Sequence, residues 1–145
     1  MAERCIFCDI AAGTLAAPLI YEGQDSLAFL DHRPLFAGHC LLIPRAHIET
    51  LTDLPPERVG PLFVRARSLC AAVEKALDAD GTFLAVNNRV SQSVPHLHIH
   101  IVPRRKKDGL RGFFWPRNKY PSTQEMESVR LAIRKALEDT ERANA

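Results

Sequence analysis

Pro95-His96-Leu97-His98-Ile99-His100-Ile101-Val102 places three of the chain's six histidines at every second position, with apolar residues between them. Side chains alternate between the two faces of a strand. The spacing therefore predicts a strand over 95–102, with Leu97, Ile99 and Ile101 on one face and all three imidazoles on the other. The apolar face has a core to build. The other has no structural need for three aligned rings, so it marks the candidate site.

The flanking sequence supplies a sheet for this strand. Leu19 to Glu22 and Ser26 to Leu30 read as strands joined by the turn Gly23-Gln24-Asp25, His39 to Ile43 as a strand ended by Pro44, and Thr82 to Asn87 as another. Cys8 to Ala12 reads as a short helix stopped by Gly13. A long helix opens at Pro55-Pro56-Glu57, where a proline loses no needed donor. Its apolar residues, among them Val59, Leu62, Ala66, Leu69, Val73 and Leu77, recur at three- and four-residue spacing. Asp80-Gly81 is expected to end it, and Pro61 to kink or delay its first turn. Ser122-Thr123-Gln124-Glu125 has the capping-box pattern. It opens a C-terminal helix over about 122–142, with Met126, Val129, Ile133, Ala136 and Leu137 on one face. The expected fold class is α+β, with a mostly antiparallel sheet in a single domain spanning 1–145.

At 145 residues and 46 % apolar composition the chain is long and apolar enough to bury a core without disulfides. No apolar run approaches the roughly 20 residues of a membrane span, and Met1-Ala2-Glu3-Arg4-Cys5 has no signal-peptide character. A cytoplasmic protein is expected, with its cysteines as thiols or metal ligands. From Arg104 to Lys119 seven basic residues meet one acid, so this segment carries +6 against a chain total of +2. It is either a solvated surface loop or a site for a polyanion.

Two chemistries suit three aligned imidazoles. One is metal ligation. The other is attack by a neutral imidazole on phosphorus, with neighbouring donors for the oxyanions. Asn87, Asn88, Gln92 and Ser93 precede the triad and the basic segment follows it, which favours phosphate. Cys5-Ile6-Phe7-Cys8 has zinc-ligand spacing but supplies only two of the four ligands a closed site needs. Cys40 and Cys70 read as core residues. His32 and His39 read as hydrogen-bonding residues at strand ends, and Trp115 as a packing anchor or a base-stacking ring.

The run Gln92-Ser93-Val94-Pro95-His96-Leu97-His98-Ile99-His100-Ile101-Val102-Pro103-Arg104 resembles the signature of the histidine triad superfamily of nucleotide hydrolases and transferases. Gly38-His39-Cys40-Leu41-Leu42-Ile43-Pro44-Arg45-Ala46-His47 is similar to a second family segment. Phe29-Leu30-Asp31 with Pro34 is similar to the end of its ribose-binding strand. The likeness runs from about Cys5 to Trp115. It implies a five-stranded antiparallel sheet with two main helices, paired into a homodimer by the long helix and a strand.

The resemblance also implies a mechanism. His98 would attack the α-phosphorus to give a nucleotidyl-histidine, which water hydrolyses. His100 would hold phosphate oxygens and His96 would orient the site. Asp31 would bind the ribose hydroxyls. Gln92 and Ser93 would contact the phosphate or leaving group, assisted by Asn87 or Asn88. Some members bind structural zinc through residues matching Cys5, Cys8, His47 and His96. The partner implied is a purine nucleotide, either a dinucleoside polyphosphate or a nucleoside phosphoramidate, and not nucleic acid or a membrane. A nucleotide sensor with negligible turnover, and a hydrolase with the triad as catalytic zinc ligands, are the competing readings. Two departures from the family pattern concern the donor loop: Ser91 stands where glycine is common, and the loop before the triad is short.

Overall fold

The computed structural model describes residues 4–110, 118–143 and 145. In chain order the elements are α1 (Ile6–Ala12), β1 (Leu19–Glu22), β2 (Ser26–Leu30), β3 (Cys40–Pro44), a 3-10 turn (Leu51–Asp53), α2 (Pro56–Leu77), β4 (Gly81–Ala85), β5 (Ile99–Arg104) and α3 (Thr123–Ala143). The five strands form one sheet in the order β1-β2-β3-β5-β4, and every pair is antiparallel. The described residues divide into two compact units, Met1–Asp108 with the sheet, α1 and α2, and Gly109–Ala145 with α3.

Strand alternation sorts the first unit's core into two layers. Ala28, Cys40, Leu42, Ile99 and Ile101, joined by Leu97, face α2 and bury Leu62, Ala66, Leu69 and Val73. These four helix positions follow the expected apolar stripe. Burial of each of the larger side chains contributes roughly 1.5–3 kcal/mol. On the opposite sheet face Leu27, Phe29, Leu41 and Ile43 pack with Phe7 of α1. Register fixes which face the histidines share. Phe29 lies opposite Leu41, Leu41 opposite His100, and His100 opposite Ala85. The α1 layer thus borders the imidazoles.

Several element ends differ from expectation: β3 runs Cys40–Pro44 instead of His39 to Ile43, and β4 runs Gly81–Ala85 instead of Thr82 to Asn87. The triad strand begins at Ile99, not Pro95. Continuing the β3–β5 register would set Pro44 against Leu97, and a proline has no N–H to donate. The Leu97 N–H instead bonds the Ile48 carbonyl at 2.6 Å. The alternation nevertheless persists, because Leu97 still joins Ile99 and Ile101 in the α2 layer.

The long helix stops at Leu77, ahead of Asp80-Gly81. Asp78 takes the left-handed conformation (φ 49°), which aspartate tolerates better than most residues. The Arg105 guanidinium donates to the Leu77 and Asp78 carbonyls and so satisfies the helix end. Pro61 lies within α2 without ending it.

α1 starts two residues earlier than expected and closes on Gly13 at φ 77°. In the second unit, Ser122 Oγ accepts the Glu125 N–H at 3.1 Å, the cap anticipated for α3. The helix leaves Met126, Val129, Ile133 and Leu137 exposed. Arg111, Trp115 and Arg117 lie outside the described residues.

Candidate active site

The triad is held by three different kinds of partner. His96 is fully buried and its Nε2 lies 2.8 Å from the Pro44 carbonyl. A carbonyl only accepts, so Nε2 carries the proton and Nδ1 is a lone pair. That lone pair faces two thiols, Cys5 Sγ at 3.4 Å and Cys8 Sγ at 3.6 Å. His98 is also buried, and its Nδ1 lies 2.7 Å from the His96 carbonyl. Here the proton must sit on Nδ1, which leaves Nε2 bare. The two rings therefore have opposite tautomers, each set by a backbone oxygen.

His100 lies next to His98, with ring centroids 4.9 Å apart. Its Nδ1 is 3.0 Å from His39 Nε2. Phe7 stands edge-on to His98 at 5.3 Å and to His96 at 5.9 Å, so α1 walls the site with an apolar ring. Burial pushes the His100 imidazole down to about 4, helped by the neighbouring His98 and His39 charges and opposed by Asp31. His96 and His39 are lowered as well, burial being the first cause in both. These three rings are therefore neutral near pH 7.

Cys5, Cys8, His47 and His96 bring four ligand atoms within 4.8 Å of one another. The donor chemistry can be tested against zinc. Zn–S of about 2.3 Å and Zn–N of about 2.0–2.1 Å at a tetrahedral angle require S···N separations of about 3.6 Å. Cys8 Sγ to His47 Nδ1 is 3.3 Å, and the two His96 contacts are 3.4 and 3.6 Å, all close to that separation. His96 also has the outer partner typical of a metal-bound imidazole, since its far N–H donates to a carbonyl. Burial and the facing Cys5 push the Cys8 thiol up to about 11. The residues fit zinc.

Asp31, His39 and His100 form a second close group. Asp31 Oδ1 accepts the Arg33 N–H at 2.9 Å, while Oδ2 lies 3.7 Å from His39 Nε2. The neutral donors anticipated before the triad are largely engaged within their own loop and with the 49–51 segment. Gln92 donates to the Glu49 carbonyl at 2.6 Å and accepts the Arg89 N–H at 2.8 Å. Asn88 accepts the Leu51 N–H, and Asn87 donates to the Ser91 carbonyl. Ser93 is exposed. The loop turns through two left-handed residues, Arg89 (φ 69°) and Ser91 (φ 59°).

Part of the basic segment is spent on structure. Arg104 makes a two-pronged bond to Asp108 at 2.6 and 3.0 Å, and Arg105 closes α2. His32, expected to hydrogen-bond at a strand end, is exposed with its Nδ1 3.9 Å from Asp31 Oδ1, beyond hydrogen-bond distance.

The HIT domain family matches residues 13–107, which covers the strands, α2 and the triad. The chain belongs to the HIT domain family. Among its relatives, the adenosine 5'-monophosphoramidase hnt1 of Schizosaccharomyces pombe is 34 % identical over 83 % of this chain and 88 % of its own. The bis(5'-nucleosyl)-tetraphosphatase [asymmetrical] of the same organism is 33 % identical over 65 % of this chain and 53 % of its own. Two solved structures share the fold. SMU.412c of Streptococcus mutans has a TM-score of 0.85 at 32 % identity, covering 94 % of this chain and 87 % of its own. A zinc-bound histidine triad protein of Mycobacterium smegmatis has a TM-score of 0.70 at 38 % identity, covering 96 % of both chains. Relatives with hydrolase names support a nucleotide-hydrolase activity in general terms for this HIT protein. No helix among the described residues is long and apolar enough to cross a membrane.

Sequence reasoning did not single out two groups in the site. The Pro44 carbonyl acts through the backbone and has no side-chain signal. Phe7 sits inside the Cys5-x-x-Cys8 spacing, where attention falls on the cysteines.

Proposed function

We propose that this protein cleaves a nucleotide at its α-phosphate through a nucleotidyl intermediate on His98. The observation that carries this reading is the 2.7 Å bond from His98 Nδ1 to the His96 carbonyl. It leaves the Nε2 lone pair as the nucleophile with no separate general base needed. In the first step Nε2 forms an N–P bond as the bond from phosphorus to the leaving group breaks, and the leaving group departs with the bond electrons and takes a proton from solvent. In the second step water attacks phosphorus and gives up a proton to solvent, the N–P bond electrons return to Nε2, and a nucleoside monophosphate is released.

His100 faces the same phosphorus and His96 orients His98 through its carbonyl. Asp31, at the end of β2, receives the ribose hydroxyls. Ser93 is the exposed candidate for the leaving group. Gln92, Asn87 and Asn88 shape the loop that presents it. The substrate class is a purine nucleoside phosphoramidate or a dinucleoside polyphosphate, the two chemistries named in the relatives above.

Zinc held by Cys5, Cys8, His47 and His96 would be structural, joining α1 to the triad segment, with no open position for catalysis. The assembly we favour is one HIT domain per chain, in a homodimer. The edge strand β4 and the exposed Phe63 and Val64 of the long helix α2 are the surfaces such a pairing would cover. Sedimentation of the purified chain reads its state.

The activity is tested with a panel of adenosine and guanosine phosphoramidates and dinucleoside polyphosphates. Monophosphate release from at least one class, retained in chelator, supports the reading. Binding without turnover across the panel would instead make the site a sensor.

A further inference from the structure

We propose that His39 is a positioning residue that sets the tautomer of His100, so that His100 presents an N–H to the phosphate. The role rests on the reading of the site given above and adds to it a fourth histidine outside the triad.

The protons can be traced from the backbone inward. His39 Nδ1 lies 3.1 Å from the Leu35 N–H. A backbone N–H only donates, so this nitrogen is a lone pair and the ring is neutral. Its proton must then sit on Nε2. Two groups surround that nitrogen: His100 Nδ1 at 3.0 Å and Asp31 Oδ2 at 3.7 Å. Both accept, and the His100 nitrogen is at hydrogen-bond distance. The His39 Nε2–H therefore donates to His100 Nδ1. With Nδ1 accepting, the neutral His100 ring carries its proton on Nε2, the nitrogen turned away from His39.

The same bookkeeping separates this group from a metal site. Asp31, His39 and His100 are close enough to suggest a cation. To ligate through Nε2, however, His39 would have to move its proton to Nδ1, against the Leu35 N–H. The cluster is a proton-ordering device and not a ligand set.

The three triad rings thereby present different atoms. His96 offers a bare Nδ1 to the thiols, His98 a bare Nε2 for attack, and His100 an N–H. His39 is buried, being 4 % exposed, and sits between Gly38, whose φ of 99° turns the chain, and Cys40, the first residue of β3. Its ring is thus held between the Leu35 backbone, the Asp31 carboxylate and the His100 ring.

Two substitutions separate this role from simple support of the 35–39 loop. In His39→Asn the side-chain oxygen falls near the Nδ1 position, so it keeps the Leu35 bond and loses the donor to His100. In His39→Gln the amide nitrogen reaches the Nε2 position and keeps the donor. Two measurements apply: kcat and KM on whichever nucleotide the wild type turns over, and proton–nitrogen NMR of the imidazoles without substrate. The wild type should show His100 with Nδ1 bare and Nε2 protonated. His39→Asn should lose that pattern and drop in kcat by on the order of 10- to 100-fold, as when an outer partner of a working imidazole is removed, with KM little changed. His39→Gln should restore both.

A His100 tautomer unaltered in His39→Asn, or equal kcat losses in the two variants, would overturn the proposal. Equal unfolding of both variants is read instead on the wild-type NMR pattern, where a proton on His100 Nδ1 refutes it outright. The NMR result also stands apart from the mechanism: if His98 proves not to be the nucleophile, the tautomer assignment can still hold.

Discussion

At the scale of single residues, backbone groups do much of the chemistry. His96 and His98 belong to the same short sequence repeat, yet opposite tautomers follow from two carbonyls, Pro44 and His96 itself. The alternation that exposed the triad was legible in the sequence. The difference between its members was not, because it depends on which carbonyl each ring meets after folding. Ser91 is a second case. The sequence showed only that serine replaces a common glycine. The structure supplies the reason glycine suits the position, since Ser91 sits at φ 59°. A left-handed residue with a Cβ costs roughly 1–2 kcal/mol, and glycine's extra chain entropy offsets part of any relief. Ser91→Gly should therefore stabilise the protein by up to about 1 kcal/mol, raising Tm by a few degrees. A lower Tm would show that the serine makes a contact worth more than the strain.

Elements place these residues, and here the sequence was informative about existence more than boundaries. The apolar stripe of α2 and the cap of α3 were readable because they depend on local spacing. The start of β5 was not, because it depends on Pro44, 53 residues earlier by the numbering of Leu97's would-be partner. The end of α2 was missed for a similar reason, since Arg105 reaches back to it from beyond β5.

The four proposed zinc ligands come from three separate segments: the start of α1, the loop after β3 and the approach to β5. Cys5-x-x-Cys8 announced only half of such a site, and the resemblance alone suggested the rest. An ion there would clamp α1 and Phe7 against the triad. Zinc should raise Tm in proportion to the logarithm of its free concentration, with about 2.7 kcal/mol gained at 100 times Kd. Chelator should reverse the shift, and Cys8→Ala should abolish it. A Tm indifferent to zinc and chelator in the wild type would remove the metal from this account.

For the whole molecule, the buried imidazoles couple folding to pH. His100 is held down to about 4 and His39 is lowered in the same direction, whereas imidazoles of an unfolded chain titrate near 6.5. Between about pH 6.5 and about 4 the unfolded chain therefore binds protons that the folded chain refuses. Stability should fall as pH drops through that window, by up to about 1.4 kcal/mol per pH unit for each such group, and then level off for His100 below about 4. Urea unfolding of chelated protein across the window isolates this from metal loss. A flat profile would mean that the rings are solvated. The sequence could count the histidines but not bury them, because the wall of the site is Phe7 from α1 and the layer of Phe29 and Leu41 beneath.

The central claim is that His98 carries the nucleotide during turnover. The most direct measurement is a single-turnover reaction with a nucleotide labelled at the α-phosphate, quenched in alkali, where phosphohistidine-type bonds survive, and mapped by peptide mass. The label should appear on His98 and disappear within the turnover time. His98→Asn should lose both the label and at least about 10³-fold in turnover while still binding nucleotide. Label on His96 or His100, or near wild-type turnover in His98→Asn, would contradict the account.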